Sequence, residues 1–266
     1  MTSTETSRPH PHLRAERDGS LLTLTLDNPD RRNSQTPSLW TALAAVGESL
    51  DPSVRVVILR AEGPSFSAGL DRAMLTPQGA PGEVNVLGLA AQGEEPLAEA
   101  IEGFQRGFAI WSEVPAVTIA AVQGHAIGAG FQLALACDLR VVADDVQLAM
   151  RETSLGLVPD LAGTSPLVRL VGYARALEIC ATGRFVYAEE AVRAGLASIA
   201  VPGDELDAAA RDLAEALLGA PEAALRELKP LLQSAVHSTP GEQQRSEREA
   251  QARLLTAMVR GGGKQA

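Results

Sequence analysis

Leu22, Leu24 and Leu26 alternate with Thr23, Thr25 and Asp27. That is the period of a half-buried strand, and Asn28 and Pro29 close it. Thr36, Pro37 and Ser38 then open a helix running to about Leu50, with Pro in the first turn, where its missing N–H costs nothing. The run VRVVILR from Val54 is continuous and β-branched, as in a strand covered on both faces. Strand, helix and strand in such close succession predict a βαβ unit. The pattern returns with a helix over 101–113, the run AVTIAAV from Ala116 to Val122, a Gly-rich turn, a short helix to Cys137 and the strand LRVVA from Leu139. The fold class is therefore α/β, with helices packed around sheet layers. Residues 72–100 are rich in Gly, Pro and Ala with weak periodicity, and we read them as the roof of a pocket. From Thr164 the pattern is almost all helical, with segments near 164–180, 188–194, 205–218, 221–237 and 241–259. Residues 1–18 mix Pro, charge and polar side chains and read as a mobile tail. This predicts three parts: the tail 1–18, a core 19–203 and a helical C-terminal region 204–266.

Composition changes the picture mainly by exclusion. The 266 residues are 45% hydrophobic and 21% charged, ordinary for a globular protein of one large domain or two small ones. With 23 Lys and Arg against 33 Asp and Glu, the formal charge is −10, and no local basic patch points to nucleic acid or an anionic membrane. The longest apolar stretches, such as VPAVTIAAV from Val114, fall far below the ~20 residues of a membrane helix. Cys137 and Cys180 lie in apolar helical surroundings, read as buried small hydrophobes and suit a reducing cytoplasm. His10 and His12 have no further metal ligand beside them, and no metal is expected.

Two strand exits carry the candidate chemistry: PSFSAGLD (Pro64 to Asp71) and QGHAIGAGFQLALACD (Gln123 to Asp138). Both place small residues where a backbone must come close to something. Gly128, Ala129 and Gly130 precede an apolar helix, so their N–H groups are orphan donors at its positive end, suited to a developing negative charge. The glycine spacing matches neither the dinucleotide fingerprint nor a P-loop. His125, in the turn between Gly124 and Ala126, has no suitably spaced Ser or Asp motif beside it, so a Ser-nucleophile hydrolase lacks a partner pair. His237 reads as a structural residue on a C-terminal helix.

With NPDRRNS (Asn28 to Ser34), FSAGLD, GHAIGAG and RETSLGLVPDLAGT (Arg151 to Thr164) in this order, the chain resembles the crotonase family, also called the enoyl-CoA hydratase/isomerase family, over roughly 19–260. The resemblance implies a spiral of β and α units followed by a helical region that in relatives packs across subunits into trimers or dimers of trimers. It also implies an acyl-CoA thioester substrate, with no cofactor beyond the coenzyme A that enters with it. By position, the backbone N–H groups of Leu70 and Ala129 would form an oxyanion hole for the thioester carbonyl, Ala129 replacing the glycine common there. Ser67, Ala68, Gly69, Leu70, Asp71, Gly128 and Ala129 would line the CoA ester, and Arg31 and Arg32 would approach CoA phosphates or take exposed salt bridges. Asp71 would hold its own loop.

Family hydratases use two glutamates; here the first position is Gln132 and the second Glu152. An amide cannot act as a base, although it can hold a water or a substrate group. A single carboxylate beside an oxyanion hole suits a 1,3-proton shift. Asp160 stands eight residues beyond Glu152, where some relatives carry a catalytic Asp; it is either a partner of Glu152 or the N-cap of the helix that follows. The reading is an enoyl-CoA isomerase or a hydratase of altered mechanism with Glu152 as base, against the alternative of a noncatalytic acyl-CoA binder.

Overall fold

The computed structural model describes residues 5–262. The chain divides into two compact units, 1–214 and 215–266, a later boundary than the 203/204 junction expected from the helical pattern.

The first unit is built on a seven-stranded sheet. Its strands are β1 (Glu5–His10), β2 (Leu13–Asp18), β3 (Leu21–Leu26), β4 (Val56–Ala61), β5 (Val117–Val122), β7 (Leu139–Ala143) and β10 (Ile199–Val201), hydrogen-bonded in that order. β1 to β3 pair antiparallel; every pair from β3 to β10 is parallel. A three-stranded sheet joins β6 (His125–Ile127), β8 (Gln147–Ala149) and β9 (Val186–Tyr187). The helices are α1 (Pro37–Glu48), α2 (Val86–Ala90), α3 (Glu94–Glu113), α4 (Ala129–Ala136), α5 (Thr164–Val171), α6 (Tyr173–Thr182), α7 (Ala188–Arg193) and α8 (Leu206–Gly219), which runs across the boundary. The second unit contains α9 (Glu222–Ala235) and α10 (Pro240–Gly262). Gln243 donates to the Leu231 carbonyl (3.0 Å), and Arg253 pairs with Glu227 (2.7 Å), tying α9 to α10. Among the described residues no helix is long and apolar enough to cross a membrane.

The expected mobile tail is corrected: of residues 1–18, 5–18 form β1 and β2, and Met1–Thr4 lie outside the described residues. Leu13 and Ala15 are buried while Arg14 between them pairs with Asp27 and Glu62, so a short alternation bonds a hairpin to the sheet. Pro9 is tolerated because β1 is an edge strand. β3 is buried along nearly its whole length instead of on one face, because Leu21, Leu22 and even Thr25 are covered. Residues 72–100 are less irregular than their composition suggests: α2 lies among them, and α3 begins at Glu94, with Pro96 in the first turn where the helix tolerates it. The helix expected over 164–180 breaks at Gly172 (φ +77°) into α5 and α6. His237 falls in the turn after α9 and not on a helix.

The segments that follow β3, β4 and β5 lie side by side. Gln35 bridges Leu70 and Ser67 bridges Ala126, both parallel. The segment Phe66–Leu70 is thereby held on both flanks, with Ser67 N–H donating to the His125 carbonyl (2.9 Å) and Ala68 N–H to the Arg32 carbonyl (2.8 Å).

Candidate active site

Gly69 (φ +87°) and Gly128 (φ +54°) both adopt backbone that side-chain-bearing residues rarely take. A Cβ on Gly69 would lie 2.3 Å from the Ile127 carbonyl oxygen and 3.5 Å from the Ala129 nitrogen, so the two Gly-containing loops touch there and only glycine fits. Among the described residues neither the Leu70 N–H nor the Ala129 N–H makes a hydrogen bond. The Ala129 donor is the first of α4, at the positive end of that helix.

A buried polar network fixes the Leu70 side. Ser67 Oγ donates to the Asn33 carbonyl (2.7 Å) and accepts from Gly69 N–H (3.1 Å) and Gln35 Nε2 (3.0 Å). Gln35 Oε1 accepts from the Trp40 indole (2.8 Å). Asn33, itself at φ +51°, donates to the carbonyls of Glu62 and Ser65 and accepts from Asn28 N–H. The side chains of Asn33, Gln35 and Ser67 are thus bonded to one another or to the backbone around them, which makes the loop stiff. Sequence reasoning missed Asn33 and Gln35 as positioning residues; an Asn within NPDRRNS, a residue that tolerates the left-handed region, was the available signal.

Glu152 opens a 3₁₀ turn (Glu152–Leu155) after β8, and its carboxylate occupies the space over Gly128, where a Cβ would stand 3.2 Å from Oε1. Oε1 accepts from Gln132 Nε2 at 2.8 Å, whereas Oε2 is buried without a partner among the described residues. Burial pushes this carboxyl above its ordinary value and the nearby charge of Asp160 adds to the rise; the Gln132 amide works in the other direction. Asp160 is likewise raised by burial. Its carbonyl accepts from Gln105 of α3 (2.7 Å), so α3 is tied to the loop carrying it. The N-cap alternative for Asp160 is corrected: α5 starts at Thr164 with Gly163 before it, too far along the chain for Asp160 to cap. Cys180 of α6 is half-buried, and burial followed by the charge of Glu152 pushes its thiol up.

Asp71 caps the turn Arg72–Leu75 by accepting from Ala73 N–H (3.0 Å), and Arg31 pairs with it at 3.1 Å, so Arg31 is engaged within the protein. Gln132 is 1% exposed; its Oε1 accepts from the Leu161 and Gly163 N–H groups, and its Nε2 donates to Glu152 Oε1. A Ser and His pairing does exist, contrary to the sequence reading: Ser65 Oγ lies 3.2 Å from His125 Nδ1. The pair came unannounced because its members are far apart in sequence. Ser65 is 2% exposed, which withholds its hydroxyl as a nucleophile. His125 lies on β6 instead of in a turn. His10 bonds Ser38 Oγ through Nε2 (3.0 Å) and accepts from His12 N–H, so both its ring nitrogens are in use.

Residues 16–261 match the sequence profile of the enoyl-CoA hydratase/isomerase family. A carnitinyl-CoA dehydratase from Salmonella typhi is 35% identical over 225 residues, covering 82% of this chain and 79% of that protein. Among solved structures, a candidate enoyl-CoA hydratase from Thermobifida fusca YX in complex with acetoacetyl-CoA superposes with a TM-score of 0.89 at 45% identity, over 92% of this chain and 95% of that one. The CoA complex from the same organism gives a TM-score of 0.87 at 44% identity, over 94% and 95% of the two chains.

Proposed function

The chain belongs to the enoyl-CoA hydratase/isomerase family, and from that premise we propose that it moves the proton on the carbon beside the carbonyl of a CoA thioester, with Glu152 as the base. The observation that carries this reading is the divided state of the Glu152 carboxylate: Oε1 is held by an amide and Oε2 is buried without a partner, over the loop that offers the Ala129 N–H. The Leu70 and Ala129 N–H groups bind the thioester oxygen as it gains charge, a contribution of ~10²- to 10³-fold per donor in comparable sites. Glu152 Oε2 takes the proton from C2 of a 3-enoyl ester, the double bond shifts to C2–C3, and the same oxygen returns the proton to C4, leaving the enzyme unchanged.

Isomerisation is favoured over hydration because the Gln132 amide cannot accept a proton from an attacking water. Asp160 supports a second reading. It is close enough for its charge to be felt at Glu152 and is itself held toward the protonated form. A protonated Asp160 could release a β-hydroxyl as water while Glu152 removes the α-proton, the type of reaction named for the Salmonella relative.

No cofactor besides the substrate's own CoA enters this scheme. Two cysteines outside any disulfide among the described residues fit a reducing cytoplasm. The exposed Leu232 of α9, Val236 just after it, and the exposed Met258 and Val259 of α10 fit a homotrimer or dimer of trimers, as read from the resemblance.

A panel of saturated, 2-enoyl, 3-enoyl and 3-hydroxyacyl CoA esters, followed by product identity, tests the reading. The expected result is conversion of 3-enoyl to 2-enoyl esters with slow water addition. Dehydration of the 3-hydroxy ester, with the reverse hydration of the 2-enoyl ester and no isomerisation, selects the Asp160 scheme. Brisk hydration of the 2-enoyl ester contradicts the isomerase reading, and binding of every ester without product selects the noncatalytic alternative.

A further inference from the structure

We propose that Gln132 is a positioning residue that locks Glu152 and the Leu161–Gly163 loop into one arrangement, so that Glu152 works through Oε2 alone. The inference rests on the reading of Glu152 as the base and deepens it. A primary amide has one oxygen that accepts twice and one nitrogen that donates twice. Gln132 Oε1 accepts from Leu161 N–H (2.9 Å) and Gly163 N–H (3.2 Å), which fills its lone pairs. Nε2 faces Glu152 Oε1 at 2.8 Å. Two backbone donors on one side and a carboxylate on the other fix which end of the amide is which: the reversed amide would set donor against donor and oxygen against oxygen. The loop also packs directly on the side chain, since a Cβ on Gly163 would fall 2.5 Å from Gln132 Cγ.

The position that departs from the two-glutamate pattern is therefore not a vacant catalytic post. A carboxylate at 132 would still accept the two loop N–H groups, but it would set its other oxygen against Glu152 Oε1, and the two acids would have to share a proton. The amide removes that competition. The titratable groups then facing Glu152 are Asp160, from the loop after the 3₁₀ turn, and the Cys180 thiol, from α6.

The test compares Gln132→Met and Gln132→Glu with wild type on the best ester of the panel. Gln132→Met keeps the volume without the hydrogen bonds. The expected result is a kcat lowered by ~10- to 10²-fold through a misplaced base, with KM little changed. Glu152 must be ionised to act as a base, so activity rises with pH through its titration. Losing a donor to its carboxylate should move that acid limb upward by about one pH unit. Gln132→Glu keeps the loop bonds and so stays informative if Gln132→Met fails to fold; proton sharing should move its acid limb upward as well.

Infrared difference titration of the Glu152 carboxyl, assigned by its loss in Glu152→Gln, reads the same shift without turnover. If Glu152→Gln retains full activity, the base assignment fails, while the infrared titration still decides whether Gln132 sets the proton affinity of Glu152. Folded variants whose acid limb, kcat and infrared titration all match wild type overturn the proposal. So does a loss of stability alone with those readouts unmoved.

Discussion

Glu152→Gln should lower turnover by about 10²- to 10⁴-fold while leaving the Kd for the CoA ester near wild type, because the substitution removes proton acceptance and little else. The replacement is nearly isosteric, and its carbonyl can still accept from Gln132 Nε2. The pH dependence should change with it. Burial raises the carboxyl of Glu152, so in wild type the active, ionised base is lost as the pH falls through a value above the ordinary carboxylate range. Stability should run the opposite way. The folded state holds this proton more tightly than the unfolded chain, so folding is favoured at acid pH and loses that contribution as the pH rises through the raised folded value. Denaturant unfolding from acid to neutral pH should show this slope, reduced in Glu152→Gln but not abolished, because Asp160 is raised as well.

Ala129→Pro should cost at least ~2.7 kcal/mol of transition-state stabilisation, read as a loss in kcat/KM, because proline deletes the N–H assigned to the oxyanion hole. The position suits the experiment. Ala129 is the first residue of α4, where proline is compatible with a helix and the N–H has no intrahelical partner to lose. Gly128 before it has no Cβ to clash with the ring. Circular dichroism and size-exclusion chromatography verify the fold, and a folded variant with unchanged kcat/KM would place the oxyanion donor elsewhere.

What could be read from the chain follows the range of the interactions involved. The small residues of FSAGLD and GHAIGAG announce close backbone approach locally, and the structure has that approach at Gly69 against Ile127. The strands from Val56, Val117 and Leu139 are buried runs that speak for themselves. The hairpin of β1 and β2 was hidden because Leu13 and Ala15 are two apolar positions among charges and prolines; what holds them is pairing with β3, a partner outside the local window. β6, β8 and β9 are two or three residues long, too short for a period-2 signal. Gln132 shows the limit most clearly. As a residue type it reads as a missing acid, and only the fold brings Leu161, Gly163 and Glu152 around it to give the amide a purpose. The Ser65 and His125 pair was invisible for the same reason.

The central claim is that Glu152 carries a proton from C2 of the acyl group to C4. The most direct test follows the label in a 3-enoyl-CoA ester carrying two deuteriums at C2. In wild type one deuterium should leave C2, and part of it should reappear at C4 of the 2-enoyl product, the rest being lost to solvent from the protonated base. Under the same conditions Glu152→Gln should transfer label more slowly by about the factor of 10² or more expected for turnover. Recovery of the 3-enoyl ester with both deuteriums still at C2, or a Glu152→Gln variant that transfers label at the wild-type rate, would contradict the account.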